Sequence, residues 1–201
     1  MQTKTSKKLN KPWWVSKATT VLQQFAQTGG GSFVPASFKN WKYTGQHVRI
    51  ELGHGRGTLY VTIKDSGSES SQLITSIQYS FQPRRKFQFH LCKVNRLIFI
   101  PFHSELKDAS MPNSAMQKSF HAKATHPSLL RQLLKFEGLQ EVLESKPDAY
   151  ISLKTKDRRL LLTLTEASKK PDADSLNQGV RLMRYFIAAL EEHGVIRENY
   201  R

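Results

Sequence analysis

The residues able to do chemistry are few and widely spaced. The chain has seven histidines, His47, His54, His90, His103, His121, His126 and His193. A zinc site needs three or four ligands at workable spacing. His121 and His126 lie five apart with no cysteine or acidic neighbour, and no His-Glu-x-x-His run occurs, so the sequence assembles no metal centre. His54 stands in Gly53-His54-Gly55-Arg56-Gly57. A flexible loop could expose it beside Arg56, but the same glycines suit the tip of a hairpin.

Nucleophiles are equally sparse. The single cysteine, Cys92, lies between Leu91 and Lys93. Lys93 could lower its pKa, whereas the apolar strand context favours a buried structural thiol. No Gly-x-Ser-x-Gly elbow is present. The acidic residues of the first part, Glu51, Asp65, Glu69, Glu105 and Asp108, form no spaced pair of the kind that general acid–base work requires. Thr28-Gly29-Gly30-Gly31-Ser32 offers open backbone N–H groups for a phosphate. It lacks the Gly-Lys-Ser/Thr ending of a P-loop, so a linker or helix stop is the plainer reading.

Cations beside aromatic residues are the strongest positive signal. Lys7, Lys8 and Lys11 precede Trp13 and Trp14; Arg84, Arg85 and Lys86 precede Phe87; and Lys154, Lys156, Arg158 and Arg159 crowd the tip of an expected hairpin. Such groups can contact phosphates and stack on bases. They could equally seat a protein on an anionic membrane, with Trp at the interface and Lys at the headgroups. Solvated hairpin tips, and a Trp pair packed under the next helix, explain the same residues without any partner.

Val48, Ile50 and Leu52 alternate with polar residues and are followed by Leu59 to Ile63, a hairpin with a five-residue loop. Leu73 to Phe81 and Lys86 to Leu91 are the next strands, together an antiparallel meander with one wet face. Leu97 to Ile100 is a short apolar run, and Ser119 to Ala124 reads as an edge strand. Ser16 is placed to cap a helix over Lys17 to Ala26, and Pro127 to open one carrying Leu129, Leu130, Leu133 and Leu134. Ile151 and Leu153 pair with Leu160, Leu162 and Leu164 across a turn at Thr155 to Arg158. A long helix with the stripe Leu176, Val180, Met183, Phe186, Ile187 and Leu190 follows, capped by Asp174 or Ser175 and stopped at His193-Gly194. Helix followed by paired strands occurs in both parts of the chain, without a shared motif that would mark a repeat.

The run Trp41 to Ile50, then Phe120-His121-Ala122, Leu133-Leu134 and the hairpin Ile151 to Leu164, resembles pieces found in the same order in uncharacterised bacterial soluble proteins. The likeness covers roughly Trp41 to Leu190. It implies an α+β fold of unknown activity and carries over no catalytic residue.

The formal net charge is +15, and it is unevenly spread. Residues 1–110 hold 16 Lys and Arg against 5 Asp and Glu, or +11; the remainder holds 15 against 11, or +4. No acidic residue precedes Glu51. Such a balance attracts nucleic acid, anionic lipid or an acidic protein. No apolar run is long enough to span a bilayer, and the polar N-terminus has no secretory h-region. With one cysteine, a reducing, cytoplasmic setting is expected.

The expectation is therefore an α+β chain. Residues 1–15 form a basic mobile tail and 16–201 one domain, whose subdomain division, if any, falls near 103–116. Antiparallel hairpins carry a helical pair and the long C-terminal helix. The expected function is noncatalytic binding of an anionic partner, with no cofactor and no metal. Peripheral membrane association through the Lys-rich tail and Trp13-Trp14 is the alternative, and an enzyme with a loop-built site such as Gly53–Gly57 is a third reading. Nothing in the sequence sets an oligomeric state.

Overall fold

The computed structural model describes residues 16–53, 56–67, 72–94 and 106–196. The fold is α+β: among the described residues, nine strands form one antiparallel sheet, two more form a separate ribbon, and five helices accompany them.

Helix α1 (Lys17–Thr28) begins where expected. Ser16 is extended, and its Oγ accepts the Thr19 N–H at 3.2 Å. Ala18, Leu22 and Phe25 then recur on one face and are buried. Strands β1 (Ser32–Val34), β2 (Ser37–Lys39), β3 (Lys42–Thr44), β4 (His47–Glu51), β5 (Thr58–Asp65), β6 (Leu73–Phe81) and β7 (Phe89–Lys93) follow. The rest of the chain holds β8 (Lys107–Asp108), α2 (Ser114–Ser119), β9 (Phe120–Ala124), α3 (Pro127–Leu133), α4 (Leu139–Glu144), β10 (Tyr150–Lys156), β11 (Arg159–Ser168) and α5 (Ala173–Glu192).

The sheet order is β1-β4-β5-β6-β11-β10-β7-β9-β8. The expected meander therefore runs only as far as β6. The β10–β11 hairpin separates β6 from β7, because its leucine-rich arms have apolar neighbours to bury against on both sides. Strand β9 is likewise not an edge, since β8 pairs along its outer side.

Register divides the sheet into two faces. Val48, Val61, Ile77, Leu164, Ile151, Leu91 and Ala122 stand opposite one another strand by strand, and all are buried. The adjacent row, Arg49, Tyr60, Gln78, Thr163, Ser152, His90 and Lys123, points the other way. Alternation of period two is what sorts them.

The helices cover the apolar face. Phe186 of α5 stacks on Phe89 of β7 with ring centroids 5.9 Å apart. At Gly179 the helix comes so near that an added Cβ would lie 2.7 Å from Ile77 Cδ1. The cap of α5 is Asp172, not Asp174 or Ser175: its carboxylate accepts the Ser175 N–H at 2.7 Å. Asp174 instead sits in the first turn, where the helix dipole favours an anion.

One charged group enters this core. Lys146 is 3% exposed, and its Nζ donates to Glu166 Oε2 at 2.5 Å and to Ser175 Oγ at 2.6 Å. The contact ties the end of α4 to β11 and to the start of α5.

Candidate functional site

The β10–β11 hairpin closes through Asp157 and Arg158, whose φ values are 49° and 63°. Two left-handed residues in a two-residue loop match the right-handed twist of the flanking strands. Lys156 stands opposite Arg159, so Lys156, Arg158 and Arg159 are exposed at one end of the sheet, with Lys154 half-buried behind them.

The same end receives the Arg84 to Lys86 loop. Strand β6 leaves the sheet at Phe81, opposite Leu160, and β7 enters it at Phe89, opposite Leu153. Residues 82–88 must therefore cross the hairpin near its tip. Their path is fixed from below: the Arg84 N–H donates to the Val195 carbonyl at 2.9 Å, Pro83 bridges to Ile196, and Phe87 is buried. Gln88 Nε2 also donates to Thr155 Oγ1 at 3.0 Å.

Two of these seven cations have structural partners. The Arg85 guanidinium donates to the main-chain carbonyl of His193, at the C-terminal end of α5 where a cation meets the helix dipole. Arg159 donates from Nε and Nη2 to the hydroxyl and carbonyl of Ser80, each at 3.0 Å. Arg84, Lys86, Lys154, Lys156 and Arg158 enter no ion pair among the described residues. Asp157 is the acid within the tip itself. Nearby, Arg56 pairs with Glu191 at 3.5 Å. The other expected contacts, Lys7, Lys8, Lys11, Trp13 and Trp14, lie outside the described residues, as do His54, His103 and the run Leu97 to Ile100.

Tyr79 braces this end of the sheet. Its hydroxyl donates to the Arg56 carbonyl. Burial first, then the Glu191 carboxylate, push its pKa up to about 12, opposed by Arg56 and Arg159. The phenol therefore stays neutral and acts as a donor.

The nucleophile and metal candidates lie elsewhere. Cys92 is fully buried in β7, in keeping with a structural thiol. On the same side of the sheet, buried His90 shares a hydrogen bond through Nδ1 with the Tyr150 hydroxyl. Burial and the neighbouring Cys92 raise the Tyr150 pKa to about 12 against the opposing Ser152 contact. His121 lies 3.3 Å from Asp108, and the His126 ring packs near Phe87. No group of three or more His, Cys, Asp or Glu that could hold a metal ion occurs among the described residues.

The glycine run has a packing reason. A Cβ on Gly29 would lie 2.7 Å from the Phe25 ring, and one on Gly31 would lie 2.6 Å from Val48 Cγ1. Gly30 takes a φ of 70° between them.

Sequence reasoning missed one feature. Trp41-Lys42-Tyr43 stands apart from β4. It belongs to the β2–β3 ribbon, which turns at Asn40 and Trp41 with φ values of 50° and 59°. Phe38 pairs with Tyr43, Lys39 with Lys42, and Trp41 meets Phe38 edge-on at 6.4 Å. Trp41 is 94% exposed, Tyr43 68% and Phe38 64%. The alternation of aromatic and lysine pairs about Asn40 was the available signal. The missing turn glycine concealed it.

No protein-family model matches the chain, and no curated protein matches it. Among solved structures, the crystal structure of the mycobacterial trehalose monomycolate transport factor A is similar in fold, with a TM-score of 0.57 at 9% identity. The alignment covers 89% of this chain and 97% of that one. At that identity the likeness is one of fold. No helix among the described residues is long and apolar enough to cross a membrane.

Proposed function

We propose that this is a noncatalytic binding protein whose basic sheet end engages an anionic partner, a nucleic acid or another polyanion, in a reducing compartment. The observation that carries the reading is the set Arg84, Lys86, Lys154, Lys156 and Arg158, all at one end of the sheet and none in an ion pair among the described residues. The hairpin and the anchored loop already hold the backbone of these cations, so meeting phosphates or carboxylates orders their side chains alone. Arg85 and Arg159 support the surface by fixing its backbone.

The binding role is also consistent with the fold neighbour, a transport factor. The two tyrosines with raised pKa values hold structural hydrogen bonds as neutral phenols, which suits support rather than proton transfer at neutral pH. The test is titration of the full chain with a mixed-sequence oligonucleotide at rising salt. Binding that falls steeply with salt supports the reading, and no binding at low salt overturns it.

A further inference from the structure

We propose that the β2–β3 ribbon is a membrane-interface anchor that seats its aromatic side in a bilayer containing anionic phospholipid. The surface is separate from the basic sheet end, and the inference does not rest on it.

The ribbon is amphipathic by register. Phe38 and Tyr43 are a cross-strand pair on one side, joined by Trp41 from the turn, while Lys39 and Lys42 are a pair on the other. The three aromatic side chains are among the large hydrophobic groups left exposed. Trp and Tyr prefer the headgroup region, where the ring is partly desolvated and its polar atom remains wet. Lysines beside them meet anionic headgroups.

Two costs in the free protein point to an absent partner. Trp41 occupies a left-handed turn position that normally takes glycine, so the indole is held at the tip against the local backbone preference. Lys39 and Lys42 stand directly opposite, where like charges repel. Neither lysine enters an ion pair among the described residues. An anionic headgroup layer supplies one.

Shape favours lipid over nucleic acid. Single strands are held in a charged groove that tracks the backbone, with aromatic faces lining it. Here Trp41 stands in the exposed two-residue turn, the Lys39–Lys42 pair flanks that turn, and Phe38 and Tyr43 follow one pair further back on the opposite side, an exposed ribbon with no groove of its own.

The experiment uses full-length protein with Trp13→Phe and Trp14→Phe, leaving Trp41 as the one indole of the three. Vesicles of phosphatidylcholine with and without phosphatidylglycerol are added, and Trp41 emission and its quenching by headgroup-proximal brominated lipid are read. The expected result is a blue shift and quenching on the phosphatidylglycerol vesicles. Trp41→Gly, which relieves the turn and keeps the fold, is followed by co-pelleting with the same vesicles and should weaken partitioning on the order of tenfold. Lys39→Ser and Lys42→Ser should each weaken it about fivefold at low salt. Charge reversal at Arg84 and Lys86 should leave the Trp41 signal in place, so the two binding surfaces fail independently. Unchanged emission on vesicles, or partitioning indifferent to Trp41→Gly, would overturn the proposal. So would Trp41 quenching by an oligonucleotide but not by lipid.

Discussion

Lys39 and Lys42 face each other across the β2–β3 ribbon, next to the aromatic pair Phe38 and Tyr43. Reversing one charge should turn repulsion into attraction. Lys42→Glu is expected to stabilise the ribbon by roughly 0.2–1 kcal/mol. The gain should appear as slower amide exchange in β2 and β3, with little change in global unfolding because the ribbon stands outside the main sheet.

Lys146 is buried and charged, and Glu166 is its partner. Lys146→Ala removes the cation and leaves a largely buried carboxylate, which should cost about 3 kcal/mol in urea unfolding. Lys146→Met with Glu166→Leu should recover most of that loss, since neither charge is then stranded. A double variant no more stable than the single one would show that the pair's hydrogen bond to Ser175 matters more than its charge balance.

Tyr79 and Tyr150 give the fold an alkaline limit. Their pKa values are raised from 10.0 to about 12, so the folded chain holds protons that the unfolded chain releases. Their contribution is fully present below pH 10 and is lost as pH rises towards 12. Urea midpoints between pH 9 and 12 should therefore fall. The decline should be shallower in Tyr79→Phe and in Tyr150→Phe, and an equally steep decline in both would remove the assignment.

Arg85 differs from Arg84 and Lys86 in donating to the His193 carbonyl. Arg85→Ala should destabilise the C-terminal end of α5 by about 0.3–1 kcal/mol, the scale of a cation at a helix C-terminus. Salt-sensitive binding should respond more to Arg84→Ala and Lys86→Ala. If Arg85→Ala weakens binding most, its His193 contact is not its main role.

Much of the fold was legible where residues repeat with a strong period. The arms Ile151, Leu153, Leu160, Leu162 and Leu164 are core as expected, and their turn is exposed. Ser16 and Pro127 mark helix starts because their capping and φ preferences act locally. The insertion of β10–β11 between β6 and β7 was not legible, because strand order depends on which apolar faces meet across long separations. Nor could the sequence tell Arg85 from Lys86, since the His193 carbonyl that engages Arg85 lies 108 residues away. The α5 cap shifted to Asp172 because Asp172, Asp174 and Ser175 offered the same acceptor chemistry within four residues.

The most direct test of the basic sheet end is the salt dependence of oligonucleotide affinity. The wild-type chain is compared with one carrying Arg84→Glu, Lys86→Glu, Lys156→Glu and Arg158→Glu. Each phosphate contact on a single strand contributes about 0.7 to the slope of log affinity against log salt. Loss of these four contacts should lower the slope by about 3, with weaker binding at every salt concentration. An unchanged slope would contradict the account and place the partner elsewhere on the molecule.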